Sequence, residues 1–467
     1  MSVFETSQPS KKLLLFLSSI SPGRYDRQTT VGISKFIENS VYPEMQGFYT
    51  ADELSALAEL QETEQDVGQR MPVKITRHYF EQAKFSRPLQ QLIKASPNET
   101  VDMAGSPDPG KQMHYSPIEG LIHKYEIGLI YVAATCSAHC RFCYREELIS
   151  GKDITHPDGT VQPKGLAQVD KVCKYIRQHN QIVANNNGKH PASGRGRLRE
   201  ILLSGGDPMV LGNKKLANWM GSLSEAGIDS IRIGTKELAF FPDRFDDSFF
   251  DMLDKFHASY PQTNLRFIVH FNHPDEFLKK DRDGNFIQHQ GGGLVWLDKT
   301  LHSVQRLASR HWINIDNQSP IIRDINNDPQ ALRIMQRELK RNRIENHYFF
   351  CGRDIVGYRA FNVPIESAWH ILKESQTGLS GIESHARLVA SHFLGKIEIV
   401  SITSKPLPIP GAEEGAVILK LLRCPADNPQ QGRIAIVGRN PDALWFDDYE
   451  DRVLFDEIGL FAETGNQ

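Results

Sequence analysis

No run of apolar residues in this chain is long enough to cross a membrane as a helix, which takes about twenty. There is no excess of positive charge: the formal net charge is −3. Nucleic-acid phosphates need a basic excess or patch, so no nucleic-acid partner is expected. Cysteine is scarce, with six residues at 136, 140, 143, 173, 351 and 424. They are too scattered for a disulfide framework, and three crowd into eight residues, which points to a reducing, cytoplasmic setting. No internal repeat is present. Lys11-Lys12 precede an apolar run from Leu13 to Leu17, but the run is short and lacks a small-residue cleavage site. It reads as a buried strand or helix turn. What remains, 40% hydrophobic and 24% charged over 467 residues, suits one large α/β domain with additions, or two or three modules.

Cys136, Cys140 and Cys143 follow the apolar run Leu129 to Ala134 on a predicted loop. This Cys-x3-Cys-x2-Cys spacing can turn three thiolates toward one point. An electron-transfer [4Fe-4S] cluster usually takes four cysteines. With three, one iron keeps an open position, as a catalytic zinc does. The competing reading is a zinc knuckle or a set of buried thiols. Zinc sites more often carry two Cys-x2-Cys pairs, and no second pair follows; His139 is either a ligand or a bystander.

Hydrophobic periodicity organises the rest. Residues 1–115 form an N-terminal accessory region with a helix at 51–60 behind Thr50. Residues 96–118, rich in Ser, Pro, Gly and Asp, form a connector. Strands are predicted at 129–134, 200–204, 229–234, 265–270, 312–316 and 347–351. Helices lie between most of them, at 165–179, 214–226, 246–259, 297–309 and 328–343. Repeated βα units imply a parallel sheet, and six strands suit a partial (β/α)6-type barrel over 116–404 with chemistry at the strand C-termini. Polar insertions at 184–196 and 281–293 interrupt it, and 405–467 form a small β-rich cap.

Ser204, Gly205, Gly206 and Asp207 close the second strand candidate. Two glycines let backbone approach a ligand closely, and a carboxylate beside free amides can grip an ammonium group. A tight strand-to-helix turn needs the same residues.

The cysteine spacing resembles the signature of the radical S-adenosylmethionine (SAM) superfamily. From Gly120 to about Val400 the chain resembles its lysine 2,3-aminomutase family. The elements that carry this occur in the family's order: Ser116-Pro117 with Gly120, Leu121 and His123; the cysteines; Leu203 to Pro208; Ile231 to Gly234; and His270 to Pro274. Asn317 to Ser319 with Arg323, Asn327 and Asp328 follow, then Tyr348 to Pro364.

This resemblance implies that Cys136, Cys140 and Cys143 ligate a [4Fe-4S] cluster. Ser204, Gly205, Gly206 and Asp207 would hold the amino end of SAM, with His270 and Gln318 along its methionine and adenosine parts. Arg145 would pair with a substrate α-carboxylate, a bidentate match; a structural salt bridge is the alternative. The family generates a 5'-deoxyadenosyl radical for 1,2-amino migration on an amino acid attached to pyridoxal phosphate (PLP). Lys396 would be the PLP lysine and Lys124 one of two phosphate-holding cations. A flavodoxin or ferredoxin reductant and a homo-oligomer are further expectations.

The chain departs from the family in two places. Lys396 aligns with the PLP lysine only across a one-residue gap and lacks the proline-glycine-rich run before it; the second phosphate cation falls on Gly128. The aspartates that recognise a lysine ammonium align with Arg353 and near Val389 or Ala390, with Asp354 one residue from the first. Arg353 facing the site disfavours lysine and favours an acidic amino acid; Arg353 and Asp354 as a surface ion pair is the competing reading. Three functions follow: an aminomutase-type isomerase; a PLP-independent radical enzyme catalysing epimerisation, dehydrogenation or elimination; and a non-catalytic iron-sulfur or zinc protein.

Overall fold

The structure, a computed structural model, describes residues 71–461 apart from 72, 102–103, 152–153, 156–160, 163–164 and 427–429. The helix expected at 51–60 and the apolar run at 13–17 lie outside the described residues. A twelve-stranded sheet runs in chain order: β1 (Leu121–His123), β2 (Ile127–Ala133), β3 (Glu200–Gly205), β4 (Ser230–Thr235), β5 (Asn264–Val269), β6 (Ile313–Pro320), β7 (Glu345–Phe350), β8 (Arg387–His392), β9 (Gly395–Ile402), β10 (Ala416–Arg423), β11 (Ile434–Gly438) and β12 (Val453–Asp456). Strands β2 to β8 are all parallel. Strand β1 and strands β9 to β12 pair antiparallel at the two ends. The six predicted strands are β2 to β7; β8 adds a seventh parallel strand that sequence reading missed, behind the helix Ile365–Gln376.

The connecting helices Val169–Asn185, Asn213–Glu225, Asp247–Ser259, Asp298–Ala308 and Pro329–Arg341 fall where the apolar spacing predicts. Their starts have local causes. Asp246 accepts from Phe249 N at 2.8 Å. Asp328 accepts from Gln330 N at 3.0 Å with Pro329 in the first turn, where a missing N–H costs nothing.

Parallel strands buried on both faces read as continuous apolar runs. Here they alternate. Ile231, Ile233, Leu265, Phe267 and Val269 are buried in the apolar core, while Arg232 and Arg266 point to the other face. There Arg232 pairs with Glu200 and Arg266 with Asp316. One face of the sheet is therefore committed to packing and the other to polar chemistry.

Residues 71–101 clamp the cysteine loop. His139 N donates to Lys74 O and Arg141 N to Leu92 O, each at 2.8 Å. Arg141 makes a two-pronged bond to Glu99, at 3.1 and 2.7 Å, with both side chains 2% exposed. Helix Arg77–Ala83 adds buried Tyr79, whose hydroxyl donates to Glu276 at 2.8 Å. Among the described residues no helix is long and apolar enough to cross a membrane.

Removing one partner of a buried pair strands the other charge, at a cost of about 3–5 kcal/mol. Glu99→Gln is expected to lose stability on that scale in urea unfolding of the cluster-free chain. A loss below about 1 kcal/mol would mean that Arg141 is solvated rather than clamped.

Candidate functional site

The cysteine loop leaves the C-terminal end of β2 and is fixed from below by β3. Gly205 has φ +107°, and a Cβ there would sit 2.3 Å from Ala133 O; at Gly206 it would sit 2.2 Å from Thr135 O. Gly206 N donates to Ala133 O at 2.6 Å and Asp207 N to Thr135 O at 2.9 Å. The glycines therefore admit the β2 backbone at the root of the cysteine loop. Their close approach is to protein.

The three cysteines are free and half-buried, with thiols within electrostatic reach of one another. Burial, with added repulsion from neighbouring acids and thiolates, raises the pKa of all three, that of Cys143 to about 11. Such a set stays neutral alone and ionises only with a cationic centre to bind. Among the described residues no three His, Cys, Asp or Glu close around a single metal ion. Lys74 Nζ donates to Cys136 O at 2.6 Å, and the carbonyl of Cys143 accepts from Tyr358 Oη. Glu237, buried, accepts from Ser137 Oγ at 2.5 Å on the same loop.

Asp207 is fully employed. It accepts from Met209 N at 2.9 Å, Thr235 Oγ1 at 2.9 Å and Lys236 N at 2.7 Å. Burial outweighs these bonds and lifts its pKa to about 6. It ties β3 to the end of β4. Beside it Lys236, buried, donates to His270 O at 2.7 Å, Asn272 Oδ1 at 2.7 Å and Glu276 Oε1 at 2.5 Å. This is the reason for the His270–Pro274 sequence: Asn272 also donates to Ser319 Oγ at 2.8 Å, joining β5 to β6. The His270 ring lies 6.2 Å from Phe142 of the cysteine loop, its pKa lowered to about 3 by burial and by Lys236. Gln318, half-buried on β6 opposite the extra residue His347 of β7, makes no side-chain hydrogen bond among the described residues.

Arg145 Nη1 donates to Ser204 Oγ at 2.8 Å and Gly205 O at 3.0 Å. Its Nε is buried without a partner. Its guanidinium lies 4.4 Å from the Tyr144 ring centroid and that of Arg353 lies 4.0 Å from the same ring. Neither arginine forms an ion pair among the described residues, so the structural salt bridge considered for Arg145 is absent there. Asp354, by contrast, is buried against Arg359 at 2.8 Å and does not pair with Arg353. Its carboxylate is committed to that partner.

Lys396 enters from β9. Its amine lies 4.6 Å from the Phe350 centroid and 5.1 Å from that of Tyr348, with no hydrogen bond among the described residues. Burial, then the charges of Arg353, Arg423, Lys124 and Arg232, lowers its pKa to about 7. Lys124 Nζ is near, donating to His392 O at 2.9 Å and Gly110 O at 3.4 Å. The sequence-predicted residues thus form two groups: the cysteines, Ser204 to Asp207 and His270 around the loop, and Arg353, Lys124 and Lys396 beyond Tyr144. Lys74, Tyr144, Lys236 and Glu237 were not picked out from sequence, because a single lysine, tyrosine or glutamate carries no spacing signal.

No family model matches the chain. Curated proteins do. A protein of Aquifex aeolicus named provisionally as an L-lysine 2,3-aminomutase is 28% identical over 370 residues, 78% of this chain and 83% of its own length. Glutamate 2,3-aminomutase of Clostridioides difficile is 26% identical over 297 residues, 63% of this chain and 58% of its own. L-lysine 2,3-aminomutase of Methanococcus maripaludis is 26% identical over 289 residues, 61% and 54%. With the three-cysteine loop, these relatives support an enzyme of the radical SAM isomerase type. Within that class the chain is similar to lysine and glutamate 2,3-aminomutases, and these relatives imply a [4Fe-4S] cluster and SAM.

The lowered pKa of Lys396 gives a pH signature. The unfolded chain takes up a proton near pH 10.5, whereas the folded chain resists until about 7. Stability due to this residue is therefore full above the unfolded pKa, falls as pH drops from 10.5 to 7, and is level below that. Urea unfolding of the native chain against Lys396→Met should diverge across that window. Parallel curves from pH 10.5 to 7 would place the amine in water.

Proposed function

We propose that this protein catalyses 1,2-amino migration on a dicarboxylic amino acid, using a [4Fe-4S] cluster, SAM and PLP. The observation that carries the substrate class is the pair of guanidiniums on one tyrosine, Arg145 and Arg353 on Tyr144, neither with a carboxylate partner among the described residues. Both arginines are half-buried, and two cations without counter-ions among the described residues suit a ligand with two carboxylates. Arg145 binds the α-carboxylate through its free Nε edge, and Arg353 binds the distal one. A lysine side chain would meet repulsion from Arg353, and Asp354, held by Arg359, offers no compensation. That one relative is named a glutamate 2,3-aminomutase agrees with this reading.

Cys136, Cys140 and Cys143 ligate the cluster. Buried thiols that ionise only beside a cationic centre fit that role. When bound, the cluster and SAM supply the hydrogen-abstracting radical and PLP the electron sink. Ser204 and the Gly205–Gly206 turn frame the pocket beside Arg145, while His270 and Gln318 line it from β5 and β6. Asp207 assists by holding the turn. Lys396 fits PLP chemistry because its half-buried amine is free of hydrogen bonds among the described residues and neutral in part near pH 7. The parallel strands act as a partial barrel over 116–404, the accessory region 1–115 braces the cysteine loop through Lys74, Leu92 and Glu99, and the cap 405–467 reaches the Lys396 side through Arg423. A flavodoxin or ferredoxin supplies the electron in the cytoplasm, and the chain acts as a homo-oligomer.

The test is borohydride reduction of the PLP-supplemented, cluster-reconstituted protein, followed by peptide mass mapping. A pyridoxyl label on Lys396 is expected. No specific label, with SAM cleavage intact, would exclude migration and leave a PLP-independent radical reaction such as epimerisation. On a labelled enzyme, turnover is expected with glutamate or aspartate. Arg353→Met should raise KM for that substrate on the order of ten- to a hundredfold, the worth of a charged hydrogen bond. Unchanged KM would remove Arg353 from substrate recognition.

A further inference from the structure

Family resemblance asks for two cations around the PLP phosphate, Lys124 and a residue at the position of Gly128. The structure closes that second position. A Cβ on Gly128 would lie 2.7 Å from Ile201 Cδ1 and 3.1 Å from Leu121 Cδ1, so it faces the apolar core and a side chain there points away from Lys396.

The polar face has another cation. Arg423 ends β10 and is the register partner of Lys396 on β9. Cross-strand partners share a face. The register shifts here: Lys396 pairs with Arg423 but Ile397 with Leu421, so β10 carries an extra residue, and such bulges re-aim side chains. The Arg423 guanidinium lies 4.6 Å from the Tyr125 centroid, and Lys124 Nζ lies 5.8 Å from the same centroid. Among the described residues its one ion pair is with Glu126 at 3.8 Å, wider than a hydrogen bond. Lys124 meets carbonyl oxygens of Gly110 and His392. Two cations thus flank one tyrosine beside Lys396, and the carboxylate of Glu126 meets Arg423 only at 3.8 Å.

We propose that Arg423, from the C-terminal antiparallel strands, replaces the second basic residue missing at Gly128 and, with Lys124, holds the phosphate of PLP beside Lys396. This rests on the PLP reading above. A guanidinium offers the phosphate two parallel N–H donors, and the bulge sets its aim. The C-terminal strands thereby supply part of the cofactor site.

The test compares PLP with pyridoxal, which has the same aldehyde and no phosphate. Each is titrated into the cluster-reconstituted native chain, Arg423→Met and Arg423→Lys, and the adduct at Lys396 is trapped with borohydride and counted by peptide mapping. Cluster absorbance serves as the folding control. Arg423→Met should weaken half-saturation by PLP on the order of ten- to a hundredfold and leave pyridoxal unchanged, with Arg423→Lys recovering most of the loss. Unchanged PLP binding in Arg423→Met, or equal losses for PLP and pyridoxal, would overturn the assignment while the label on the native chain kept the PLP reading. No label on the native chain from either aldehyde would overturn that reading and this assignment with it.

Discussion

Where β2 ends and β3 ends, the two backbones come so close that no side chain fits between them. The hypothetical Cβ atoms of Gly205 and Gly206 would lie 2.3 and 2.2 Å from carbonyl oxygens of Ala133 and Thr135. Thr135 immediately precedes Cys136, so this contact sets the height and direction of the whole cysteine loop. From above, the Arg141–Glu99 pair and the Lys74 contacts hold the same loop against residues 71–101. A loop gripped on both sides meets its ligand with little conformational entropy left to lose. Asp207 extends the grip to β4, and the bonds of Lys236 carry it through β5.

The site is divided by charge. Around the cysteine loop lie acidic and thiol groups, Asp207, Glu237 and the three cysteines, each pushed toward its neutral form mainly by burial. Around Lys396 lie Arg353, Arg423, Lys124 and Arg232. A cationic metal centre belongs to the first region and anionic organic groups to the second. Tyr144 stands between them, with Arg145 over its ring from the cysteine side and Arg353 over the same ring. On the proposed reading this arrangement would help orient an anionic ligand by electrostatics.

Much of this was legible in sequence. Alternating βα periodicity located β2 to β7 because each strand has one buried and one polar face, and the apolar spacing located the helices that Asp246 and Asp328 cap. The cysteines were legible because their chemistry depends on spacing. Strand β8 was missed because Leu388 to Ala390 form a short apolar run behind an unremarked helix. The function of residues 71–101 was invisible because a clamp is made of contacts distant in sequence: Arg141 meets Glu99, and Tyr79 meets Glu276. Gly205 and Gly206 were legible as special but not in what they approach, since close approach to a ligand and close approach to a neighbouring strand demand the same residue. Asp354 shows a similar limit. Its type suited ammonium recognition, but Arg359, five residues on, claims its carboxylate.

The cations around Lys396 have a consequence for how the site responds to its ligands. Their charge is one of the reasons its amine is held below its ordinary pKa, second only to burial. An anion that neutralises Arg423 and Lys124, or a carboxylate on Arg353, removes that repulsion and favours the protonated amine. Ligand charge and lysine protonation are therefore linked: an anionic group arriving alone suppresses the nucleophile, whereas on the proposed PLP reading one attached to the cofactor aldehyde would arrive with the electrophile already positioned. A free phosphate would quench this lysine and a phosphorylated aldehyde would capture it. On that account the sheet places its cations around the amine rather than on a separate surface.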